Sequence, residues 1–216
     1  YTTHNFDSTG TEYPFSPSIQ KNNGNRYSNQ ITSQLDFANP ISETKKIEMG
    51  LRSNYELTET YNDTKNFKST INDFVSDTIM STNYKTIEII NAAYINYSSK
   101  TFYNIKYQIG LRLEQTYFQG TLYRPHLGTS ATFDYYYPNG WDNLSYMFFP
   151  GIFLSKEFSS KSELQFNITR KIKRPNFFQR MPFIMFADNK NYRIGNPGLK
   201  PEFTNRLELN HNLNLN

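Results

Sequence analysis

The sequence contains no cysteine, so it has no disulfide framework and no thiolate that could bind a metal or act as a nucleophile. It also lacks an apolar run of about 18 residues, which excludes a transmembrane helix. The 23 Lys and Arg residues are scattered among 19 Asp and Glu residues, without the dense basic stripe of a nucleic-acid-binding protein. We therefore expect no nucleic-acid partner.

The motifs of the common enzyme classes are missing as well. There is no zinc-protease, phosphate-loop, serine-hydrolase or calcium-loop motif. The three histidines, His4, His126 and His211, are far apart in the sequence and have no partner at metal-ligand spacing. The sequence therefore predicts neither an enzyme nor a metal or cofactor site.

What the chain does contain is aromatic residues in a polar background. Only 37% of its residues are hydrophobic, yet it has 17 Tyr and 18 Phe beside a single Trp. This composition is too aromatic for a disordered chain and too polar for a helical membrane protein.

Alternation of apolar and polar residues is the strongest pattern in the sequence. From Tyr103 to Glu114 every odd position is apolar and every even position is polar or glycine, as in a strand between two different environments. The pattern recurs clearly at 47–57, 163–171 and 203–215, faintly at 30–37, and poorly at 87–97 and 146–155. No helical period competes with it, so the sequence predicts an all-β protein with about seven antiparallel strands.

The length of these strands and of their connections favours a membrane barrel. Tilted strands of about 9–11 residues cross a bilayer, and aromatic residues lie near the strand ends, as in interfacial girdles. Short connections near 39–45, 98–100 and 157–161 alternate with long polar stretches at 58–84, 118–144 and 174–202. We therefore predict a bacterial outer-membrane β-barrel with short periplasmic turns and long outer loops.

In such a barrel the apolar face contacts lipid and the polar face lines a wet lumen. The charged residues predicted to line it are Lys106, Arg112, Glu114, Glu163, Lys171, Arg206 and Glu208. The alternative is a soluble β-sandwich binding module, in which the apolar face would pack inward and the charged face would meet water.

Seven strands do not close a barrel, because single-chain bacterial barrels have even strand numbers from eight upward. Either another strand lies within 1–20 or 121–137, or the chain is a section of a larger barrel, which we favour. On this interpretation residues 1–27 form a loop or partial strand, and residues 28–216 form barrel strands and loops.

Two late segments carry a family resemblance. The run LQFNITRKIKRPNFFQRMPF ends a strand at Arg174-Pro175, and YRIGNPGLKPEFTNRLEL follows, with Glu208 in the next strand. The second run contains the motif Gly195-Asn196-Pro197-Gly198-Leu199-Lys200-Pro201-Glu202. Together these segments resemble the late barrel strands of TonB-dependent outer-membrane receptors, in the Bacteroidetes-type branch.

The physical role of that motif can be read from its residues. Pro197 and Pro201 fix φ and donate no hydrogen bond, so this stretch cannot belong to a ladder. Gly195 and Gly198 permit turns with positive φ. We expect a stiff loop that sets the register of the strand starting at Glu202, in preference to a ligand contact.

The resemblance implies active uptake of a siderophore, cobalamin, a glycan or a peptide, driven through a plug domain and the TonB system. The sequence has no recognisable plug and no TonB-contact segment, so these partners would act through a full-length protein. A structural or adhesive surface barrel without transport is the alternative function.

The tract FDYYYPNGWDN is the candidate ligand contact. In an outer loop, Tyr135, Tyr136, Tyr137 and Trp141 could stack on a sugar or an aromatic siderophore. Alternatively, the tract is a hairpin tip at the membrane surface that turns at Asn139-Gly140. The sequence leaves both interpretations open.

Overall fold

The computed structural model describes residues 2–13, 18–101, 103–186 and 191–213. It is an all-β structure with one short α-helix, α1 (Phe177–Arg180), and one 3-10 helix (Trp141–Met147). The strands are β1 (Thr2–Thr3), β2 (Ser18–Ser42), β3 (Lys45–Lys68), β4 (Asp73–Ser76), β5 (Thr82–Lys100), β6 (Ile105–Arg124), β7 (Thr129–Tyr137), β8 (Phe148–Ser159), β9 (Ser162–Lys173), β10 (Met185–Phe186), β11 (Tyr192–Arg193) and β12 (Glu202–Leu213). No helix among the described residues is long and apolar enough to cross a membrane.

Ten of these strands form one antiparallel sheet. Eight follow each other in the order β1-β2-β3-β5-β6-β8-β9-β12, while β4 pairs with the end of β3 and β7 with the end of β6. The seven strands predicted from alternation are all present, as β2, β3, β5, β6, β8, β9 and β12. Within the described part of the chain, no ladder joins β12 to β1 or β2. The sheet is therefore a curved wall that does not close into a barrel.

Two of the three short connections lie within the predicted stretches 39–45 and 157–161, whereas residues 98–100 belong to β5 and the second connection follows directly after them. Residues 43–44 join β2 to β3, residues 101–104 separate β5 from β6, and residues 160–161 join β8 to β9. All three connections lie at the same end of the sheet, because neighbouring strands are antiparallel and the chain returns to this end after every second long strand.

The long connections differ from the prediction, since much of their length is strand. β3 continues to Lys68, β6 continues to Arg124, and β7 occupies 129–137. Residues 18–27, predicted as part of a loop or partial strand, belong to β2. In these stretches the outer face is mostly polar, and the inner face mixes polar residues with buried apolar ones such as Phe118 and Leu122, so the contrast between lipid and polar groups that alternation reports is absent.

An apolar band crosses one face of the sheet, here called the outer face. Leu35, Leu51, Ala93 and Leu113 are opposite one another on β2, β3, β5 and β6, and similar rows lie below them. Many of these side chains are exposed, as expected of residues whose contacts are lipid tails.

Aromatic residues border this band on both sides. Tyr97 and Tyr107 lie 6.0 Å apart at the end with the short turns, and Tyr117 and Tyr136 lie 6.1 Å apart at the other end. From Tyr107 to Tyr117 a strand tilted by about 40° rises roughly 25 Å, the height of the apolar band of membrane barrels.

Beyond Tyr117 the wall continues as a polar extension, here called the rim. The rim consists of 18–30 in β2, 56–68 in β3, 82–88 in β5, 118–124 in β6, and all of β4 and the 129–135 part of β7. The buried hydrophobic cluster lies at this level, on the face opposite the apolar band.

Candidate functional site

The predicted lumen-lining residues share one face of the sheet, here called the inner face. Lys106 is opposite Ser155, Ser155 is opposite Gln165, and side chains at alternate positions of each strand point the same way. By this register the inner face carries all seven of them, namely Lys106, Arg112, Glu114, Glu163, Lys171, Arg206 and Glu208. That this face lines a lumen stays a prediction.

After β9 the chain turns back onto the inner face. Residues 174–183, here called the inward segment, contain the short helix α1. Asn176 caps this helix reciprocally: its Oδ1 accepts from the Gln179 backbone N–H at 3.0 Å, and the Gln179 Oε1 accepts from the Asn176 N–H at 2.9 Å. The capping box gives a single helical turn a defined start.

Apolar side chains fix the inward segment to the rim. Met181 and Phe183 are buried against Tyr84 of β5 and Leu122 of β6. The Phe177 ring lies 6.0 Å from the Tyr84 ring. Full burial of a side chain such as Met181 contributes about 1.5–3 kcal/mol.

Arg180 makes the most elaborate contact of the inward segment. Its Nη1 donates to Glu88 Oε1 at 3.2 Å and to the Tyr135 hydroxyl at 2.9 Å. Its guanidinium lies 3.9 Å from the centre of the Phe118 ring, which is itself stacked on Tyr135 at 5.0 Å. Charge pairing and a cation–π contact therefore hold the same buried side chain.

Arg174 makes a second charged attachment nearer the membrane band. It forms an ion pair with Glu114 and donates to the Thr116 hydroxyl at 2.8 Å. Arg112 contacts the other oxygen of Glu114 at 2.8 Å. Glu114 is only 6% exposed, so these two arginines, in place of water, stabilise its negative charge.

The inward segment reaches across several strands. Phe177 lies under the Arg26 guanidinium of β2, 4.2 Å from the ring centre, while Arg180 contacts Tyr135 of β7. A segment this short touches both strands only because the inner face is concave.

Burial raises the pKa of two rim tyrosines, Tyr84 and Tyr135. The Tyr84 hydroxyl has no hydrogen-bond partner among the described residues, and burial raises the pKa of Tyr84 to about 12, partly offset by the Arg180 charge. Tyr84 is therefore a neutral packing residue at physiological pH.

The family motif pairs with the inward segment. The Gly195 N–H donates to the Met181 carbonyl at 2.8 Å, and the Asn196 N–H donates to the Gln179 carbonyl at 2.7 Å. The stretch containing Pro197, Leu199, Lys200 and Pro201 then leads to Glu202, the first residue of β12.

The expected reason for the glycines of this motif is wrong. Neither Gly195 nor Gly198 has positive φ. Gly195 is needed for space, because a Cβ there would lie 2.6 Å from the Met181 nitrogen and 2.7 Å from the Gln179 oxygen. The strand-terminal pair Arg174-Pro175 has a matching role, since it starts the segment that Gly195 approaches.

The aromatic tract does not form one platform. Most of it is β7, where Tyr135 and Tyr137 pair with Phe118 and Thr116 on the inner face, while Tyr136 points to the outer face. Trp141 is separate, at the start of the 3-10 helix and 87% exposed. Strand alternation thus divides the four residues, although ligand contact by any one of them stays a prediction.

The alternative prediction for this tract, a hairpin that turns at Asn139-Gly140, is wrong in the position of its turn. The tip between β6 and β7 lies at 125–128. Asn139 and Gly140 connect β7 to the 3-10 helix instead. β7 itself alternates, with Ala131, Phe133 and Tyr135 facing inward between polar neighbours, and it lies within 121–137, one of the two stretches suggested for a further strand.

Sequence reasoning did not select the residues that hold the inward segment. These residues are Tyr84, Glu88, Phe118, Leu122, Arg180, Met181 and Phe183. One signal was available: the run FFQRMPF at 177–183 is unusually apolar for a solvated loop and must be buried somewhere.

The chemistry of the inner face is that of ion pairs, amides and aromatic rings. Over the described ranges no group of three or more His, Asp or Glu side chains is arranged to hold a metal ion. Such a surface can bind and orient a polar solute.

Comparison with known proteins agrees with this architecture. A model of the outer membrane protein beta-barrel family matches residues 1–216. No curated protein and no solved structure matches the chain.

Proposed function

The chain belongs to the outer membrane protein beta-barrel family and so lies in the bacterial outer membrane. We propose that it forms part of the barrel wall of a TonB-dependent nutrient receptor. The nutrient classes are a siderophore, cobalamin, a glycan or a peptide. Lipid surrounds the apolar band, and a plug domain and the TonB system act through the full-length protein. The proposal involves no enzymatic step, cofactor or nucleic acid.

The observation that carries the proposal is the width of the sheet. Seven long strands follow one another across the apolar band, since β1 pairs with β2 only in the rim, and no ladder among the described residues connects β12 to β1 or β2. Unpaired edges are not tolerated in lipid, so further strands must complete the wall. One added strand gives the minimum of eight, whereas several give a barrel that encloses space beyond that filled by its own side chains, as transport barrels do.

A structural or adhesive barrel is the competing function. Such a protein presents its rim to the surroundings and has no need of a wide interior. The polar inner face and the resemblance of 164–209 to TonB-dependent receptors both favour uptake.

The test compares three strains of the native bacterium: wild type, a deletion of this gene, and a strain with an inactive TonB system. Each grows in medium containing limiting amounts of the four nutrient classes, and mass spectrometry follows their depletion. We expect one nutrient to remain in the medium in both mutant strains.

If the gene deletion leaves every depletion rate unchanged but reduces attachment to surfaces or to other cells, the adhesive function replaces our proposal. A depletion that fails in the deletion strain but persists without TonB would also contradict it.

A further inference from the structure

A recess lies on the inner face at the height of the membrane band, apart from the inward segment. Its volume is about 480 Å³, and β5, β6, β8 and β9 build it entirely. It is therefore complete whatever strands close the barrel.

Two glycines make the floor of this recess. Gly110 of β6 and Gly151 of β8 are opposite each other, so two adjacent inner-face positions carry no side chain. A Cβ on Gly151 would have no atom within 4 Å, so the space above Gly151 is open, whereas the Asn96 amide lies directly over Gly110 and leaves no room for a Cβ there.

The walls of the recess carry polar groups with unused hydrogen-bonding capacity. Three amides and an ammonium, those of Asn96, Gln108, Asn167 and Lys171, line it. Among the described residues these four side chains have no hydrogen-bond or ion-pair partner. Phe149 and Phe153 complete the walls.

Positive charge prevails around the recess. Arg112 shares the carboxylate of Glu114 with Arg174, so two cations face one anion there. Lys171 adds a cation that no carboxylate neutralises among the described residues. The neighbouring Arg206 is already paired with Glu208 at 2.7 Å.

We propose that this glycine-floored recess is a binding site for a small oxyanion, a solute with carboxylate or phosphate groups. The Lys171 ammonium and the Arg112 guanidinium supply charge, and the amide NH₂ groups of Asn96, Gln108 and Asn167 donate to the remaining oxygens. The site lies on the route that a solute takes along the inner wall. It does not depend on the TonB system.

The test is isothermal titration calorimetry on the complete protein in detergent, with citrate, inorganic phosphate and glucose as probes at low ionic strength. We expect saturable binding of citrate or phosphate and none of glucose. Lys171→Gln should weaken binding about tenfold or more, because it removes a charge-assisted hydrogen bond. Lys68→Gln, the same change at the end of β3, should leave binding unaltered.

A second variant tests the cavity itself. Gly151→Val places a side chain where a Cβ has no atom within 4 Å, and should abolish binding while the barrel still resists unfolding by SDS at room temperature. Binding of citrate alone or of phosphate alone identifies which oxyanion the recess accepts, and either supports the proposal.

The proposal is overturned if glucose binds as tightly as the anions, if neither anion binds, or if Lys171→Gln and Lys68→Gln behave alike. Because the binding is measured at equilibrium in detergent, its failure is distinct from a failure of TonB-dependent uptake in cells.

Discussion

At the scale of single residues, Gly195 is the position with the least freedom. Its hydrogen is directed at the backbone of Gln179 and Met181, and backbone atoms cannot move aside as the end of a side chain can. Gly198, three positions later, meets only the Asn196 amide, 3.3 Å from a Cβ placed there. The two glycines of one motif therefore have different tolerance.

We expect Gly195→Ala to separate the start of the motif from the inward segment, because the two backbones approach too closely there to leave room for a methyl group. Trypsin should then cleave the native protein faster after Arg180. Gly198→Ala is the matched control and should leave cleavage unchanged. Equal cleavage of the two variants would refute the role given to Gly195.

At the scale of elements, the inward segment depends on long-range contacts. Its helix has a single turn, too short to be stable alone, so its position comes from Met181, Phe183 and the two arginines. Arg180 and Arg174 both form ion pairs that are largely shielded from water, and Arg180 adds the cation–π contact with Phe118.

Replacing Arg180 by Met should release the inward segment, since Glu88 would keep a buried charge without its partner. Breaking a buried pair costs about 3–5 kcal/mol, whereas an exposed pair contributes about 0–1 kcal/mol. Hydrogen–deuterium exchange at 177–183 should therefore rise strongly in Arg180→Met and little in Arg206→Gln, which breaks the exposed pair with Glu208.

The double variant Glu88→Gln, Arg180→Met separates charge from packing. It should recover part of the protection, because the unpaired carboxylate is gone. Exchange as fast as in the single variant would mean that the cation–π contact with Phe118 holds the segment instead.

The candidate site could be predicted only in part, for reasons visible in these elements. Alternation within β6 and β9 was enough to place Arg112, Glu114 and Lys171 on one face. The partners of Arg180 could not be found this way, because Glu88 and Tyr135 are brought together by the register of β5, β6 and β7, and Arg180 reaches them only when its segment folds inward. The recess could not be predicted from the sequence, because Gly110 and Gly151 become adjacent only through strand register.

At the scale of the whole molecule, the fold was largely predictable where lipid is in contact with it. Seven strands are recognisable because a bilayer outside and polar groups inside impose a period of two. Strand β7 lies in 121–137, one of the two stretches suggested for a further strand, but neither it nor the first part of β2 was among the seven, because the rim lacks the contrast between lipid and polar groups. The absence of closure was anticipated from the odd number of strands.

The contrast between the lipid-facing and the polar face yields a prediction about the stability of the barrel in lipid. Ile95 is exposed on the outer face within the apolar band, so Ile95→Arg should destabilise the barrel in lipid by about 2–4 kcal/mol. Gln108→Arg, on the inner face at similar depth, should cost little. Urea unfolding in phospholipid vesicles measures both, and equal losses would contradict the assignment of the two faces.

The height of the rim has a consequence for the evolution of this surface. From Ile31 to Ser18, β2 rises about 30 Å above the apolar band, beyond the reach of the lipid headgroups. In the predicted orientation, with the short turns in the periplasm, phages and antibodies meet the rim first. Its shape is held by backbone ladder bonds, which form whatever the side chains are. The outward-facing residues of the rim can thus be exchanged to escape recognition while the wall beneath keeps its form.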